Sequence, residues 1–309
     1  MFTDSQILAL RGPKAVLDPQ RAYAATLEEE RDSSGDLVPT AVVFLTNREC
    51  PFRCVMCDLW VNTLDDVVPD GMIAEQIRTA VAELPPAKQV KLYNAGSFFD
   101  AQAVPPSDDE AIARLLEPFD RVIVEAHPAY LRGPYAERCL ALRDRLRGRL
   151  EVAIGLETAN PDVLERLNKR MTLADFQNAA GFLRDQAIDV RAFILLQPPF
   201  MPVDEAVEWG CRSIDVAFDA GVSVCSVIPT RGGNGAMEAI GAVKPTLTAL
   251  ESVVEYGVAI GRGRVFADLW ELERFYDCRC SPERADRLRT MNQTQQIPAP
   301  ILCDCTTRN

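Results

Sequence analysis

Short apolar runs alternate with segments of helical periodicity along most of this chain, and that alternation limits the fold more than any other feature. Strand-type runs stand at residues 40–46, 89–93, 121–125, 151–155, 189–196 and 222–228. Between them, residues 73–84, 108–116, 173–186 and 203–220 carry apolar side chains three and four positions apart, the spacing of one buried helix face. Near-continuous apolar strands interleaved with amphipathic helices predict a parallel sheet covered by helices. Six such repeats fit an α/β fold, a partial (β/α)6 barrel of the TIM type. A doubly wound open sheet is the alternative. On this reading residues 1–38 are an N-terminal extension, 39–245 the barrel, and 246–309 a C-terminal extension with a helix at 246–259 and a strand candidate at 264–268.

A chain of 309 residues, 48% hydrophobic and 25% charged, is long enough for a core of that size. It holds no apolar run long enough to span a membrane, and its first residues lack the pattern of a secretory leader, so the expected location is cytoplasmic and off the membrane. The net charge of −12 speaks against strong non-specific nucleic-acid binding. Basic stretches at 138–149 and 169–170 read as solvated helix faces.

Ten cysteines are many for a cytoplasmic chain, where thiolate–metal chemistry is a better explanation than disulfides. Cys139, Cys211 and Cys225 are scattered in apolar or amphipathic segments and read as packing. Cys50, Cys54 and Cys57 follow the first barrel strand with spacing C-x3-C-x2-C. Three thiolates this close can wrap one metal centre, either zinc or an iron–sulfur cluster. Zinc wants a fourth ligand, yet the single histidine, His127, is remote, and Asp58 is an uncommon structural ligand. A [4Fe–4S] cluster on three cysteines leaves one iron open to S-adenosyl-L-methionine (SAM). The loop also leaves the carboxyl end of a strand, where such folds place their ligand sites.

The cysteine spacing resembles the C-x3-C-x-Φ-C signature of the radical SAM superfamily, with Met56 at the position where an aromatic is more usual. The resemblance spans roughly residues 40–245. It implies the partial barrel, the [4Fe–4S] cluster and SAM as cofactor or co-substrate. The superfamily's Gly-Gly-Glu motif after the second strand is replaced here by Asn94-Ala-Gly96-Ser97, a departure in which small residues still permit close approach and Asn94 and Ser97 supply polar contacts. Glu157 ends the fourth strand, placed either for the ribose hydroxyls or as neighbour of a helix start at Asn160 and Pro161. Gln197 ends the fifth strand before two prolines, and His127 follows the third; both are expected at the cofactor rim. The glycine-rich turn at 229–235 carries little weight by itself. The run at 155–160, Asn168 with Lys169, the element at 96–98 and the turn at 195–200 are similar to the radical SAM lyase of archaeosine synthesis, archaeosine being a modified tRNA base. They resemble the Elongator catalytic subunit more distantly.

Near the C-terminus, Cys278 and Cys280 form one C-x-C pair, and Cys303 and Cys305 another. A helix at 281–292 and a return loop would bring the pairs together. Four thiolates suit a structural zinc ion or an auxiliary [4Fe–4S] cluster, and coincidental reduced thiols are the bland alternative. The expected function is reductive cleavage of SAM to a 5′-deoxyadenosyl radical that abstracts hydrogen from an unidentified substrate, with a flavodoxin- or ferredoxin-type electron donor. The substrate is a tRNA, a small molecule or a peptide. A non-catalytic iron–sulfur or zinc protein, binding or carrying electrons, is the competing class.

Overall fold

The computed structural model describes residues 2–303 and 305. One sheet of eight strands organises them, in the order β1 Ala24–Arg31, β2 Leu37–Leu45, β3 Gln89–Asn94, β4 Arg121–Ala126, β5 Arg149–Glu157, β6 Asp189–Leu196, β7 Val224–Pro229 and β8 Arg264–Ala267. Neighbours in sequence are neighbours in the sheet, so no strand order reverses and the doubly wound alternative does not apply. The six expected strands are β2 to β7, and β8 continues them in parallel. The added element is β1, which pairs antiparallel with β2 and brings part of the N-terminal extension into the sheet.

Ten helices accompany the strands among the described residues: α1 Asp4–Leu10, α2 Met72–Glu83, α3 Asp109–Leu116, α4 Pro134–Arg145, α5 Pro161–Arg166, α6 Leu173–Asp185, α7 Ala206–Asp219, α8 Ala236–Ala239, α9 Leu247–Ile260 and α10 Ser281–Thr294. None is long and apolar enough to cross a membrane. The main core lies between sheet and helices, where Val43, Leu92, Val124, Ile154, Ile194 and Val227 are fully buried. Local signals set the helix starts. Thr172 and Asp175 make a reciprocal capping box at α6, and the Asn160 side chain accepts the first amides of α5.

The sheet curls into a half-barrel, and its inward face is not apolar at the bottom. Arg191, 2% exposed, bonds Glu30 at 2.6 Å and Glu151 at 2.7 Å. Lys91 also reaches Glu30 at 2.6 Å, and Arg121 reaches Glu151 at 3.0 Å. Glu30 comes from β1, so the added strand completes this charged layer. Burial opposes the charge on Glu30, but Arg191 and Lys91 outweigh it and hold the carboxyl far below its usual range. Above the layer, Tyr93 of β3 and Phe193 of β6 meet edge to face with ring centroids 5.9 Å apart, although two strands separate theirs in the sheet.

The open side is covered by α10, which packs on β1, β8 and α9. Its amide side chains act where a ninth strand would. Asn292 accepts from the Ala267 amide at 2.8 Å and donates to the Ala267 carbonyl at 2.9 Å. Gln295 does the same with Val265, at 2.8 and 2.9 Å. The edge of β8 is thereby satisfied without a backbone ladder.

Candidate active site

The segment between β2 and α2 leaves the carboxyl end of the sheet and carries Cys50, Cys54 and Cys57. Neighbouring turns grip its backbone on two sides. The Val55 amide donates to the Leu167 carbonyl at 2.9 Å, and the Asn168 side chain donates to the Arg53 carbonyl at 2.7 Å. From the turn after β7, Asn234 donates to the carbonyls of Val55 and Cys57 at 2.8 and 3.1 Å. Glu49, beside the first cysteine, meets Arg11 at 2.6 Å, Lys14 at 2.8 Å and Arg53 at 3.1 Å. The helix α1 adds a small second core, in which Ile7, Val55 and Ala236 are almost fully buried.

All three thiols lie in poorly solvated surroundings. Burial pushes Cys50 up, pushes Cys54 well above the usual range and pushes Cys57 up to about 12. Free thiolates are therefore disfavoured, and a metal centre that offsets the negative charge reverses that preference. A Cβ added to Gly96 would stand 3.3 Å from the Cys50 Cβ, and Gly96 holds φ at 128°, so only glycine suits this approach.

The flanking turn contains unspent polar atoms. Asn94 is 2% exposed and Ser97 1%. Among the described residues, both polar atoms of the Asn94 side chain and the Ser97 hydroxyl lack a hydrogen-bond partner. Buried polar groups are nearly always satisfied, so three orphans beside the cysteine loop fit a polar ligand at this turn.

The other expected rim residues are differently placed. Glu157 and Lys169 form a buried ion pair. A Cβ on Gly155 would collide with both side chains, which accounts for glycine there. Burial works against the Lys169 charge, but Glu157 outweighs it and raises its affinity for the proton; Cys54 and Cys50 act the same way. His127 spends both ring nitrogens on backbone. Nδ1 accepts from the Ala129 amide at 3.1 Å, and Nε2 faces the Lys169 carbonyl at 3.0 Å, so the ring is neutral with its proton on Nε2. Burial, then Lys169, brings its pKa down to about 3. Phe52 stacks on this ring at 4.0 Å and 25°. Gln197 donates to the Met201 carbonyl at 2.9 Å and braces its own turn. Asn234, which grips the loop, and Arg53, which lies on it, escaped the sequence reading. Asn168 with Lys169 had been singled out, but only by resemblance.

At the other end of the chain, Cys278, Cys280, Cys303 and Cys305 come together with all four Sγ atoms within 4.8 Å of one another. The Cys278–Cys303 and Cys280–Cys305 separations are 3.7 and 3.6 Å. The cluster is prepared by α10. Arg287 donates to the carbonyls of Pro298 and Ala299 at 2.7 and 2.8 Å, and Arg284 to that of Ile301 at 3.3 Å. Both arginines also pair with Glu251 of α9. The tail is thus led back to the start of α10.

No family model matches the chain. It is 29% identical over 275 residues to archaeosine synthase subunit beta of Methanosarcina acetivorans, covering 82% of this chain and 77% of that one. It is 33% identical over 130 residues to the protein of the same name from Thermococcus kodakarensis, covering 40% and 39%. Among solved structures, methylornithine synthase (PylB) superposes with a TM-score of 0.53 at 13% identity, covering 85% of this chain and 74% of that one. That likeness shows the partial barrel.

Proposed function

We propose that this chain is a radical SAM enzyme, that it holds a [4Fe–4S] cluster on Cys50, Cys54 and Cys57, and that it modifies a base of tRNA. The observation that carries the cofactor site is the set of orphaned polar atoms on Asn94 and Ser97, next to the glycine that touches Cys50. When bound, cluster and SAM supply an electron and a 5′-deoxyadenosyl radical for hydrogen abstraction. The chain's own residues hold and shield that chemistry. Gly96 opens the approach to Cys50, and Asn94 and Ser97 receive polar groups of SAM. Glu157, held by Lys169, keeps carboxylate lone pairs for ribose hydroxyls. His127 and Gln197 serve indirectly, the first under Phe52 and the second in its turn. The α1 helix and the second core exclude water from the back of the loop. In this reading residues 39–245 are the catalytic unit and 1–38 and 246–309 are flanks that complete its wall.

The similarity to proteins named archaeosine synthase subunit beta supports the tRNA substrate, and the word subunit supports a partner protein. A flavodoxin- or ferredoxin-type donor and a cytoplasmic setting complete the proposal. Anaerobic reconstitution with iron and sulfide, followed by dithionite and SAM, tests it. Release of 5′-deoxyadenosine by the wild type and its loss in Cys54→Ser are expected. A cluster that never perturbs SAM would favour the non-catalytic class.

For the C-terminal thiols, the spacing favours one tetrahedral ion, zinc above all, over an auxiliary cluster. Metal–sulfur bonds of about 2.3 Å in a tetrahedron put the sulfurs about 3.8 Å apart. The separations of 3.7 and 3.6 Å match that value. A cubane cluster carries each thiolate on a different iron and spreads them wider. Metal analysis of Cys278→Ser/Cys280→Ser should show one zinc lost with iron and sulfide unchanged. Loss of four irons instead would establish the second cluster.

A further inference from the structure

Three rings in contact lead from solvent to the cysteine loop. Arg132, Gly133, Pro134 and Tyr135 are all exposed where the chain enters α4. The Tyr135 ring, 39% exposed, meets Tyr130 edge to face with centroids 4.8 Å apart. Tyr130 is half-buried and stands 6.3 Å from Phe52, again edge to face. Phe52 lies between Cys50 and Cys54 in the chain and is backed by the His127 ring. The far end of Tyr130 is fixed as well, its hydroxyl donating to Asp100 Oδ2 at 2.9 Å. Burial and Asp100 strengthen the phenol's hold on its proton, and Cys50 is near enough to add to the effect. Neither the cluster ligands nor the SAM turn make use of Tyr130 or Tyr135.

The surface around the outer ring is basic, although the chain carries a net charge of −12. Arg132 is 72% exposed, and its nearest carboxylate, Asp175 at 3.9 Å, is already bonded to the Thr172 amide and hydroxyl at 2.9 and 2.7 Å. Arg170 is exposed beside Lys169, whose carbonyl meets His127, and it pairs with Asp4. Arg53 follows Phe52 and shares Glu49 with Arg11 and Lys14, so one carboxylate serves three cations. Arg48 makes no ion pair among the described residues and donates to Gln102, close in the chain to Asp100. The exposed acid of α4, Glu137, stands two positions beyond Tyr135 and so points to another side of the helix. Arginines therefore outnumber free carboxylates on this face.

We infer that this face receives the electron donor, an acidic flavodoxin, and that Tyr135, Tyr130 and Phe52 form the packed path from its flavin to the cysteine loop. The inference deepens the cluster reading of Cys50, Cys54 and Cys57 and rests on it. An exposed ring among guanidinium groups suits the flat edge of a flavin set among carboxylates. A ferredoxin keeps its cluster behind backbone and offers no ring edge to meet Tyr135. Opposite charges steer the encounter and fix its orientation. Rings in van der Waals contact carry an electron better than a water-filled gap. The reduced flavin loses one electron and the cluster gains it. No bond forms or breaks, no proton moves, and the three rings are neither oxidised nor reduced.

The test mixes photoreduced flavodoxin with the reconstituted full-length protein without oxygen and follows cluster reduction by stopped-flow absorbance. Calorimetry measures binding of oxidised flavodoxin to the same preparation. The wild type should bind and be reduced, and added salt should weaken the complex. Arg132→Glu should weaken binding and slow reduction roughly fivefold at low salt, as expected for reversing one rim charge. The same reversal at Arg289, exposed on α10, should change neither. Tyr135→Ala should lower the limiting rate several-fold at saturating flavodoxin, and Tyr135→Phe should restore it, because the ring is used and the hydroxyl is not. Reduction by dithionite should be unchanged in all four variants. An Arg132→Glu that matches the wild type with flavodoxin, a Tyr135→Ala with the wild-type limiting rate, or variants slowed as much with dithionite overturns the inference. So does a wild type that ferredoxin reduces and flavodoxin neither binds nor reduces. Dithionite-driven SAM cleavage is measured alongside. Its absence in the wild type sinks the enzymatic reading, whereas intact cleavage without flavodoxin binding sinks only this one.

Discussion

Lys169 and Glu157 form a buried ion pair from two unusual backbone positions. Glu157 holds φ at 64°, and Lys169 is flanked by Asn168 at 56° and Arg170 at 58°. Non-glycine residues in the left-handed region persist where surrounding contacts over-determine them, commonly at functional sites. Lys169→Met leaves a buried carboxylate without its cation and should cost about 3–5 kcal/mol. Adding Glu157→Gln to it should recover most of that loss. Urea unfolding of the two variants decides the matter: equal stability of single and double variants would mean the residues do not act as a pair.

The charged layer at the barrel bottom makes a second prediction. Arg191 joins Glu30 of β1 to Glu151 of β5. Arg191→Met takes the shared cation from both carboxylates, leaving Glu30 only Lys91 and Glu151 only Arg121 among these partners, and should cost on the order of 3 kcal/mol. Glu30→Gln should cost less, because Glu151 still balances Arg191. The ranking of the two denaturation midpoints is the measurement, and the reverse order would refute it.

Stability against pH should show two opposing slopes. His127 stays neutral in the fold down to about 3, while an unfolded histidine takes its proton near 6.5. Its contribution is therefore lost as pH falls below about 6.5. Glu125 takes its proton near 8 in the fold but near 4.3 when unfolded, so its contribution grows as pH falls from about 8. Each slope approaches about 1.4 kcal/mol per pH unit, and between about 6.5 and 4.5 they cancel. His127→Asn should keep gaining stability down to about pH 4.5 relative to the wild type. Glu125→Gln should lose it from about 6.5 downward. Urea melts of the three proteins at matched pH test the signs, and parallel curves would refute both assignments.

Removing residues 1–12 takes away Ile7 and uncovers Val55, which lies between the second and third cysteines. It also removes Arg11 from Glu49. The truncated protein should still take up iron, yet lose cluster absorbance to a chelator several-fold faster than the full chain. Equal loss rates would show that α1 does not shield the loop.

Much of this architecture was legible because apolar strands and amphipathic helices differ in period. The six central strands and the helices α2, α3, α6, α7 and α9 follow from that difference, whereas α4, α5 and α8 do not. By contrast, β1 was not visible, since Ala24–Arg31 reads as a charged segment, and charge normally means solvent. Here Glu30 points into a buried ionic layer. The same assumption hid Glu125 and left Lys169 as part of a basic patch. The roles of Cys50, Cys54 and Cys57 and of Asn94 and Ser97 were readable as expectations from spacing and resemblance. The partners of His127 and Gln197 were not, because their ring and amide atoms bond to backbone groups distant or irregular in sequence. Whether the C-terminal thiols suit one ion or an auxiliary cluster is not legible in the sequence for a simpler reason: it depends on sulfur–sulfur distances, which spacing along a chain does not contain.

Because two side-chain amides, Asn292 of α10 and Gln295 at its C-cap, cover the β8 edge, what that helix prevents matters as much as what it supports. Without Asn292 and Gln295, Val265 and Ala267 would present bare donors and acceptors, and β1 across the gap would lose its cover too. Exposed strand edges recruit strands from other molecules. Versions of this protein shortened before α10 should therefore be recovered as insoluble aggregates rather than as inactive monomers. Their silence in an assay would report on self-association, not on the chemistry of the tail.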